Sequence, residues 1–293
     1  MLRASAAVER VGVPTVSIIS SGFLKQAAVV ARGLGLPEMA IAEFPGVPMT
    51  QSKEELRRQV VELLLPRVIE GLSKPIQRGE PEREVLLPQP EEAVMSGTLD
   101  EINDYFHERD WSDGLPIVPP TQERVHRFLQ FTERDPREVI GVCPPANREA
   151  TVWNVAVNGV MAGCRPEYMP VLIALIEAIA DERFGVQQVG STVGWTPLII
   201  LNGPIAKELG FNSGQGVLRP QTQANITVSR FLRLALVNIA GYRIGETDMA
   251  TFGRNYYPVL AEAEDASPWH PFSVDRGFAK GDNVVTVQSA DTI

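Results

Sequence analysis

A thiol, a guanidinium and a carboxylate follow one another at the end of an apolar segment near the middle of the chain. Cys164, Arg165 and Glu167 come directly after this segment, residues 154–163. A thiol beside a cation can have a lowered pKa and act as a nucleophile or redox group. The alternative is a small packing residue, because cysteine is among the most buried residue types and a helix C-terminus disfavours a thiolate. Cys164 is therefore a candidate catalytic thiol, with both interpretations open.

Two apolar helices are expected to carry polar side chains into the fold. The spacing of valine and methionine predicts a buried helix that ends at Gly163, and another long helix is predicted over residues 222–240. Asn158 lies on the first and Asn225 on the second, and a buried asparagine needs hydrogen-bond partners. Together they suggest a polar pocket in which Asn158 and Asn225 orient a substrate. A satisfied structural network, or a pair of exposed faces, is the alternative.

A glycine-rich loop and an irregular segment add further candidate groups. The loop over residues 202–219 precedes the long helix, so backbone N–H groups and Arg219 could hold a carboxylate or phosphate. A plain turn is the alternative, and the third glycine of a dinucleotide fingerprint is missing. We expect Arg165 and Arg219 to bind a substrate carboxylate. Glu262 or Asp248 is expected to move a proton, although surface carboxylates are far commoner.

Composition excludes several classes of partner. The chain has 293 residues, a net charge of −9 and no clustered basic residues, so neither a nucleic acid nor an anionic membrane is an expected partner. No signal peptide or membrane helix is apparent, which predicts a cytoplasmic protein. Two cysteines and three scattered histidines support neither a disulfide framework nor a metal site. No metal is expected, and the sequence indicates no cofactor.

The chain is predicted to be α/β, with a small parallel N-terminal unit and a larger mixed α/β domain. Residues 1–73 form the small domain, 74–97 a proline-rich linker, and 98–293 the larger domain. In the small domain we predict strands at 13–20 and 39–44, a helix at 22–33, and a helix from Ser52 to about Leu72 that Pro66 kinks or divides. In the larger domain we predict helices at 99–108, from Thr121, at 154–162 and at 168–180, in addition to the long helix over residues 222–240. We also predict strands at 186–194, 197–202 and 283–287.

Short motifs occur in both predicted domains. Those of the larger domain are Asp113-Gly-Leu-Pro-Ile-Val-Pro-Pro-Thr121, Val160-Met-Ala-Gly-Cys-Arg-Pro-Glu-Tyr168, Leu201-Asn-Gly-Pro204, Asn212-Ser-Gly214 and Ser267-Pro-Trp269. Those of the small domain are Arg10-Val-Gly-Val-Pro-Thr-Val16 and Phe44-Pro-Gly-Val-Pro48. Together they resemble a bacterial family of largely uncharacterised proteins named after a Cys/Sec-Gly-Ser-Cys motif, the UGSC family. The resemblance implies site roles for the residues that match its pattern, which are Cys164, Asn202, Asn212, Ser213 and Glu262.

The name-giving motif itself is absent from this sequence, which starts inside the helix that the motif precedes in the family. Three explanations are open: the start codon lies upstream, the redox-active motif is on another subunit, or this member of the family has lost the motif. The resemblance therefore implies the larger domain's site more than dithiol or selenol chemistry.

Three functions remain open at this point. The first is an enzyme acting on a small polar or anionic organic molecule, by thiol-dependent redox or carbon–heteroatom chemistry at Cys164. The second is a lyase or hydratase that uses the carboxylates and no thiol. The third is a non-catalytic subunit, in a homo-oligomer or beside a partner that carries the missing motif, with an exposed strand edge inviting association.

Overall fold

A computed structural model describes residues 2–73, 90–186, 194–250, 253 and 256–290. The chain divides into two compact units. The first comprises Met1–Leu87 with the short segments Pro145–Asn147 and Gly245–Thr247, and the second comprises Pro88–Pro144, Arg148–Ile244 and Asp248–Ile293. Helices and small sheets occur in both, so the predicted α/β class is confirmed. Within the described ranges, no helix has the length and apolar character needed to cross a membrane.

The first unit alternates helices and strands. Its elements are α1 (Leu2–Arg10), β1 (Ser17–Ser20), α2 (Leu24–Gly33), β2 (Ile41–Phe44), α3 (Lys53–Gln59) and α4 (Leu65–Ser73). Strands β1 and β2 pair in parallel, as the strand–helix–strand pattern predicts. The prediction placed the start of β1 too early, because Pro14 has no N–H to donate and the Thr15 N–H donates to the Glu9 carboxylate.

Pro66 is accommodated by a wider helical turn. Ser52 and Glu55 form the predicted capping box that begins α3. A π-helical segment, Val60–Leu64, then connects α3 to α4. A proline in a helix cannot make the α-helical bond to the carbonyl four residues earlier, and a π turn placed just before Pro66 lets the helix continue. The predicted division of this helix is thus a change of helical type.

The second unit is built on long apolar helices. Its helices are α5 (Leu99–Glu108), α6 (Gln122–Leu129), α7 (Val152–Ala162), α8 (Met169–Ala180), α9 (Pro204–Glu208), α10 (Gln223–Ala235) and α11 (Phe272–Asp275). A π-helical segment, Leu236–Ala240, continues α10 to the predicted end of the long helix. Helix α7 ends at Gly163, whose φ of 78° is left-handed, as predicted from the glycine and Pro166.

Two small sheets complete the second unit. Strands β3 (Val139–Cys143) and β4 (Arg148–Thr151) form an antiparallel pair. Strands β5 (Leu198–Asn202), β6 (Val259–Ala261) and β7 (Val284–Gln288) form a sheet in the order β6-β5-β7, with β5 parallel to β6 and antiparallel to β7. The predictions of β5 and β7 are confirmed.

Other expectations about strands were wrong or fall outside the described residues. Strands β3, β4 and β6 were not predicted. The predicted strand at 186–194 and the predicted linker at 74–97 fall largely on residues that the structure does not describe.

Strand β5 is the centre of the sheet that matters for the site. Ile199 and Leu201 are fully buried. Helix α10 packs against β6 and α8 packs against β7. This packing fixes where the carboxyl ends of β5 and β6 lie.

Candidate active site

The carboxyl ends of the parallel strands β5 and β6 bring polar side chains together. Leu201 pairs with Ala261, and the Glu262 N–H then donates to the Leu201 carbonyl, which places Asn202 and Glu262 side by side just beyond the last pair. In open α/β sheets, ligands bind in the crevice outside the carboxyl ends of parallel strands. The strand register alone therefore marks this edge as a candidate site.

The Asn202 carboxamide holds two carboxylates. Its Nδ2 donates to Glu262 Oε2 at 2.6 Å and to Glu264 Oε1 at 2.9 Å. Each of these oxygens also accepts a backbone N–H, from Phe272 for Glu262 and from Gly203 for Glu264, both at 2.8 Å. Two donors on one oxygen fix the orientation of each carboxylate.

Each carboxylate leaves its second oxygen without a hydrogen bond. Glu262 Oε1 and Glu264 Oε2 make no hydrogen bond with any described residue, and neither atom is fully buried. Within the described ranges, neither carboxylate forms an ion pair with Lys, Arg or His. An oriented carboxylate with one accessible oxygen can accept or donate a proton.

Asn225 and Asn212 form the hydrogen bonds that hold strand β6 at this edge. Asn225 is buried, its Oδ1 accepts the Asn212 N–H at 3.0 Å, and its Nδ2 donates to the Val259 carbonyl at 2.6 Å. The Asn212 carbonyl in turn accepts the Ala261 N–H at 3.1 Å. Asn225 thus joins α10 to β6 and to the loop, which is a positioning role and not the substrate contact that we expected.

The rest of the glycine-rich loop does not reach the carboxylates. The Asn212 side chain bonds within the loop, to the Gly214 N–H and the Gln215 carbonyl. Ser213 and Arg219 are exposed, and among the described residues no side-chain hydrogen bond or ion pair links either of them to Glu262 or Glu264. The anion-binding loop predicted from the sequence is therefore not assembled around this edge.

The Cys164 thiol lies in surroundings that oppose its ionisation. Cys164 follows the left-handed Gly163, and its N–H donates to the Gly159 carbonyl at 3.0 Å, a Schellman arrangement that satisfies the helix end. Burial raises the pKa of the thiol to about 12, although a hydrogen bond with Thr227 and the charge of Arg230 act in the opposite direction. Of the two interpretations left open for Cys164, the lowered pKa is contradicted, because desolvation outweighs the nearby cation.

Arginines near Cys164 are already paired with carboxylates. Arg165 Nη2 lies 2.8 Å from Glu167 Oε1, so the guanidinium expected to bind substrate contacts its own neighbour. Arg230 forms a two-pronged pair with Asp113, at 3.1 Å from Nε to Oδ2 and 3.0 Å from Nη2 to Oδ1. The Asp113 side chain is only 3% exposed. This pair ties the proline-rich segment to α10.

Asn158 belongs to a structural network between α7 and the end of the long helix. Its Oδ1 accepts from Asn238 Nδ2 at 2.9 Å, its Nδ2 donates to the Asn154 carbonyl at 2.9 Å, and Asn238 Nδ2 also donates to the Trp111 carbonyl at 3.0 Å. The pocket expected between Asn158 and Asn225 was therefore wrong: these side chains serve two separate networks. The satisfied-network alternative holds for Asn158.

Asp248 stands apart from the β5–β6 edge. Its Oδ1 accepts the Ala250 N–H at 3.0 Å. Burial raises its pKa, opposed by that hydrogen bond. No described hydrogen bond connects it to Glu262, so of the predicted catalytic residues only Glu262 is joined to predicted binding residues.

Two features of the site were missed by the sequence analysis. Glu264 was not singled out, and its alternation with Glu262 just after the apolar residues Leu260 and Ala261 was the available signal. Gly203 was not considered. Its φ is +88°, and a Cβ there would lie 2.3 Å from the Asp282 carbonyl oxygen, so only glycine brings its N–H to Glu264.

Comparison with known proteins places the N-terminal part of the chain in a family context. Residues 1–74 match the UGSC family model, which confirms the resemblance inferred from the small domain's motifs. The match covers about a quarter of the chain and leaves the candidate site outside it. Neither the curated proteins nor the solved structures include a significant match to this chain.

Proposed function

We propose that the protein is an enzyme that acts on a small polar organic molecule by carboxylate acid–base catalysis at the β5–β6 edge. The observation that carries this proposal is the pair Glu262 and Glu264, each oriented through one oxygen by Asn202 and a backbone N–H, with the other oxygen open. Structural carboxylates more often use both oxygens, or pair with a cation. Here the fold orients both carboxylates and leaves one oxygen of each without a hydrogen bond.

Glu262 is the proposed proton-transfer residue. It directly follows a strand of the sheet, and its carboxylate is held by two donors from different elements, Asn202 and Phe272. Glu264 is the proposed second acid–base group, and Asn202 is a positioning residue for both. A carboxylate that removes a proton from carbon next to a carbonyl, with a second group that returns a proton, performs the chemistry of a lyase or hydratase.

The charge of the site bears on the substrate. Two carboxylates that form no ion pair within the described residues repel an anionic molecule, and Arg165, one of the two arginines expected to bind substrate, is paired with Glu167. On the protein groups alone, the proposed substrate is polar and uncharged, with a carbonyl or hydroxyl function. The two free cysteines fit a reducing compartment, and we place the enzyme in the cytoplasm as part of the proposal.

Proton abstraction can be tested without knowing the reaction. The protein is incubated in D₂O with a panel of small carbonyl and hydroxy-carbonyl compounds, and loss of the C–H signal is followed by proton NMR. We expect enzyme-dependent exchange that Glu262→Gln slows at least about a hundredfold, since general base catalysis typically contributes that much. Asp265→Asn, an exposed carboxylate in the same loop, is the matched control and should leave exchange unchanged. Exchange at the wild-type rate in Glu262→Gln would remove Glu262 from the mechanism.

Thiol chemistry remains the alternative proposal. Thr227 and Arg230 both favour the thiolate of Cys164, yet burial keeps its pKa at about 12. A redox or carbon–heteroatom role would therefore need a rearrangement that exposes the thiol. Loss of turnover in Cys164→Ala, with Glu262→Gln fully active, would favour this alternative.

A non-catalytic subunit is supported by the first unit. In the described residues its sheet has only two strands, β1 and β2, each with one unpaired edge. Such a sheet is marginal alone and can accept a strand from a second copy or from a different chain. Light scattering on the purified protein tests this alternative, and a monodisperse monomer would count against it.

A further inference from the structure

Backbone hydrogen bonds of β5 show which of its residues bond with each neighbouring strand. The Ile199 N–H donates to the Pro258 carbonyl, and the Glu262 N–H donates to the Leu201 carbonyl, so the odd-numbered residues of β5 bond with β6. Successive residues of a strand direct their N–H and C=O groups to opposite sides. The even-numbered residues of β5 therefore bond with β7.

The antiparallel register then identifies the groups of β7 that point away from the sheet. Ile200 lies opposite Thr286, whereas Ile199 and Leu201 lie opposite Val287 and Val285. Thr286 therefore bonds with β5, and the N–H and C=O groups of Val285 and Val287 point outward. Among the residues that the structure describes, these four backbone groups have no hydrogen-bond partner.

The opposite edge of the same sheet has its outward groups in use. The Val259 carbonyl of β6 accepts from Asn225 Nδ2 at 2.6 Å, and the Ala261 N–H donates to the Asn212 carbonyl at 3.1 Å. The fold thus covers the β6 edge with a helix side chain and a loop, and leaves the β7 edge as a template for another strand.

Strand β7 also lacks the features that usually protect an open edge. Val284-Val-Thr-Val-Gln288 contains no proline and no charged residue, and its register with β5 is continuous, without a bulge. The side chains of Val285 and Val287 pack against the core and are only partly buried. An uncharged, β-branched edge of this kind favours pairing with a further strand.

We propose that β7 pairs with β7 of a second copy of this chain, antiparallel and about a two-fold axis at Thr286. Val285 of each copy then lies opposite Val287 of the other, and each of these two pairs exchanges both of its N–H···O=C bonds. All four outward groups of each strand are satisfied. The two sheets become one sheet of six strands, in the order β6-β5-β7-β7-β5-β6.

A second copy fits this edge because the strand is complementary to itself. The two outward residues lie at equal distances on either side of Thr286, so a two-fold axis brings identical sets of free groups face to face. Valine then opposes valine and threonine opposes threonine, which are favourable cross-strand pairs. Asp282, the charged residue nearest to the axis, falls opposite Ala290 of the second copy, so no like charges meet.

The inference is independent of the proposed function. Each copy keeps its own Asn202, Glu262 and Glu264, because β7 lies on the side of β5 away from β6. The β5 strands of the two copies run antiparallel, so the two candidate sites lie at opposite ends of the six-stranded sheet.

A disulfide across the axis tests the inference. The two Thr286 residues would form a non-hydrogen-bonded pair with Cα atoms about 4.5 Å apart, a separation that a disulfide can span. We expect Thr286→Cys in the full-length protein, oxidised by copper phenanthroline in air, to run as a covalent dimer on a non-reducing gel. Gln288→Cys is the matched control: it is more exposed and on the same face, but two copies of it would lie about 14 Å apart and should not cross-link.

Light scattering after gel filtration measures the assembly without an added cysteine. We expect the wild type to have twice the chain mass of 32.1 kDa. Thr286→Lys should have the mass of one chain, because two ammonium groups would face each other at the axis. Circular dichroism shows whether this variant is folded, and the cross-linking result decides alone where it is not.

Three results would overturn the inference. A wild type with the mass of one chain would show that β7 recruits no second copy. Folded Thr286→Lys with the mass of two chains would place the contact elsewhere, such as at the open edges of the first unit's sheet. Gln288→Cys that cross-links as readily as Thr286→Cys would exclude a two-fold axis at Thr286.

Discussion

Breaking the ion pair between Asp113 and Arg230 should markedly destabilise the second unit, and Asp113→Asn tests this expectation. The side chains are 3% and 14% exposed, so solvent screens the pair little. Removing one partner of a buried ion pair typically costs about 3–5 kcal/mol, because the other charge stays buried. Arg230 Nη2 keeps its bonds to the Leu115 and Pro116 carbonyls at 3.2 and 2.9 Å. We therefore expect a loss at the lower end, about 3 kcal/mol.

Urea unfolding followed by tryptophan fluorescence measures this loss. All four tryptophans, at positions 111, 153, 195 and 269, lie in the second unit, so the signal reports on the unit that contains the pair. A two-unit chain need not unfold in one step, and a signal confined to one unit avoids that complication. Asp181→Asn is the matched control, because Asp181 pairs with Arg183 on the surface and its loss should not measurably change the midpoint.

A double-mutant cycle shows whether the pair itself is responsible. Arg230→Met combined with Asp113→Asn removes both charges, and the double variant should be more stable than the sum of the single losses predicts. Asp113→Asn with a midpoint as unchanged as that of the surface control would refute the reasoning. So would strictly additive losses, which would mean that the two side chains act separately.

Three further predictions concern the thiols and a glycine. Iodoacetamide at neutral pH should modify neither Cys143 nor Cys164 until the protein unfolds, because burial raises their pKa values to about 11 and about 12. Intact mass spectrometry measures the modification. Rapid labelling of Cys164 in the folded protein would contradict this prediction. Because the pKa of the Cys164 thiol is higher in the folded protein than the usual 9.0, the protonated thiol contributes fully to stability below pH 9, and this contribution is lost as the pH rises towards 12. Between pH 9 and 12, the free energy of unfolding should therefore fall less steeply in Cys164→Ala than in the wild type. Gly203→Ala should destabilise the protein more than Gly210→Ala. Both glycines have a positive φ, but an added Cβ would meet the Asp282 carbonyl only at Gly203, and no atom lies within 4 Å of it at Gly210. Equal urea midpoints for the two variants would show that the close approach of Asp282 is unimportant.

The five longer helices of the second unit, α5, α6, α7, α8 and α10, could be predicted because their signals are local, whereas the short α9 and α11 were not predicted. Thr98 and Thr121 cap α5 and α6, and Gly163 ends α7, at the positions that the sequence indicates. Strand β5 was predicted from its apolar run. Strand β6 has only three residues, and it exists because it pairs with β5, a contact that no local pattern reveals.

The candidate site could be predicted only in part. Glu262 and Asn202 were identified as candidates, but nothing in the sequence shows that Glu262 and Glu264 both accept hydrogen bonds from the Asn202 carboxamide, about 60 residues earlier in the chain. The choice between the two interpretations of Cys164 could not be made from the sequence for the same reason. A cation beside a thiol can be read from the sequence, whereas the depth of burial that raises its pKa depends on how α7 and α10 pack.

The arrangement of the three-stranded sheet means that the candidate site is not contained in any short stretch of the chain. Strand β5 is flanked by two strands that come much later in the sequence, and one of them ends at Gln288. Bringing such distant segments together closes long loops, a cost in chain entropy that local helices do not bear. A fragment that carries only the Glu262 loop lacks Asn202, and one that ends before β7 leaves an edge of β5 unpaired. A piece that holds the two carboxylates in place must therefore run at least from the start of β5 to the end of β7.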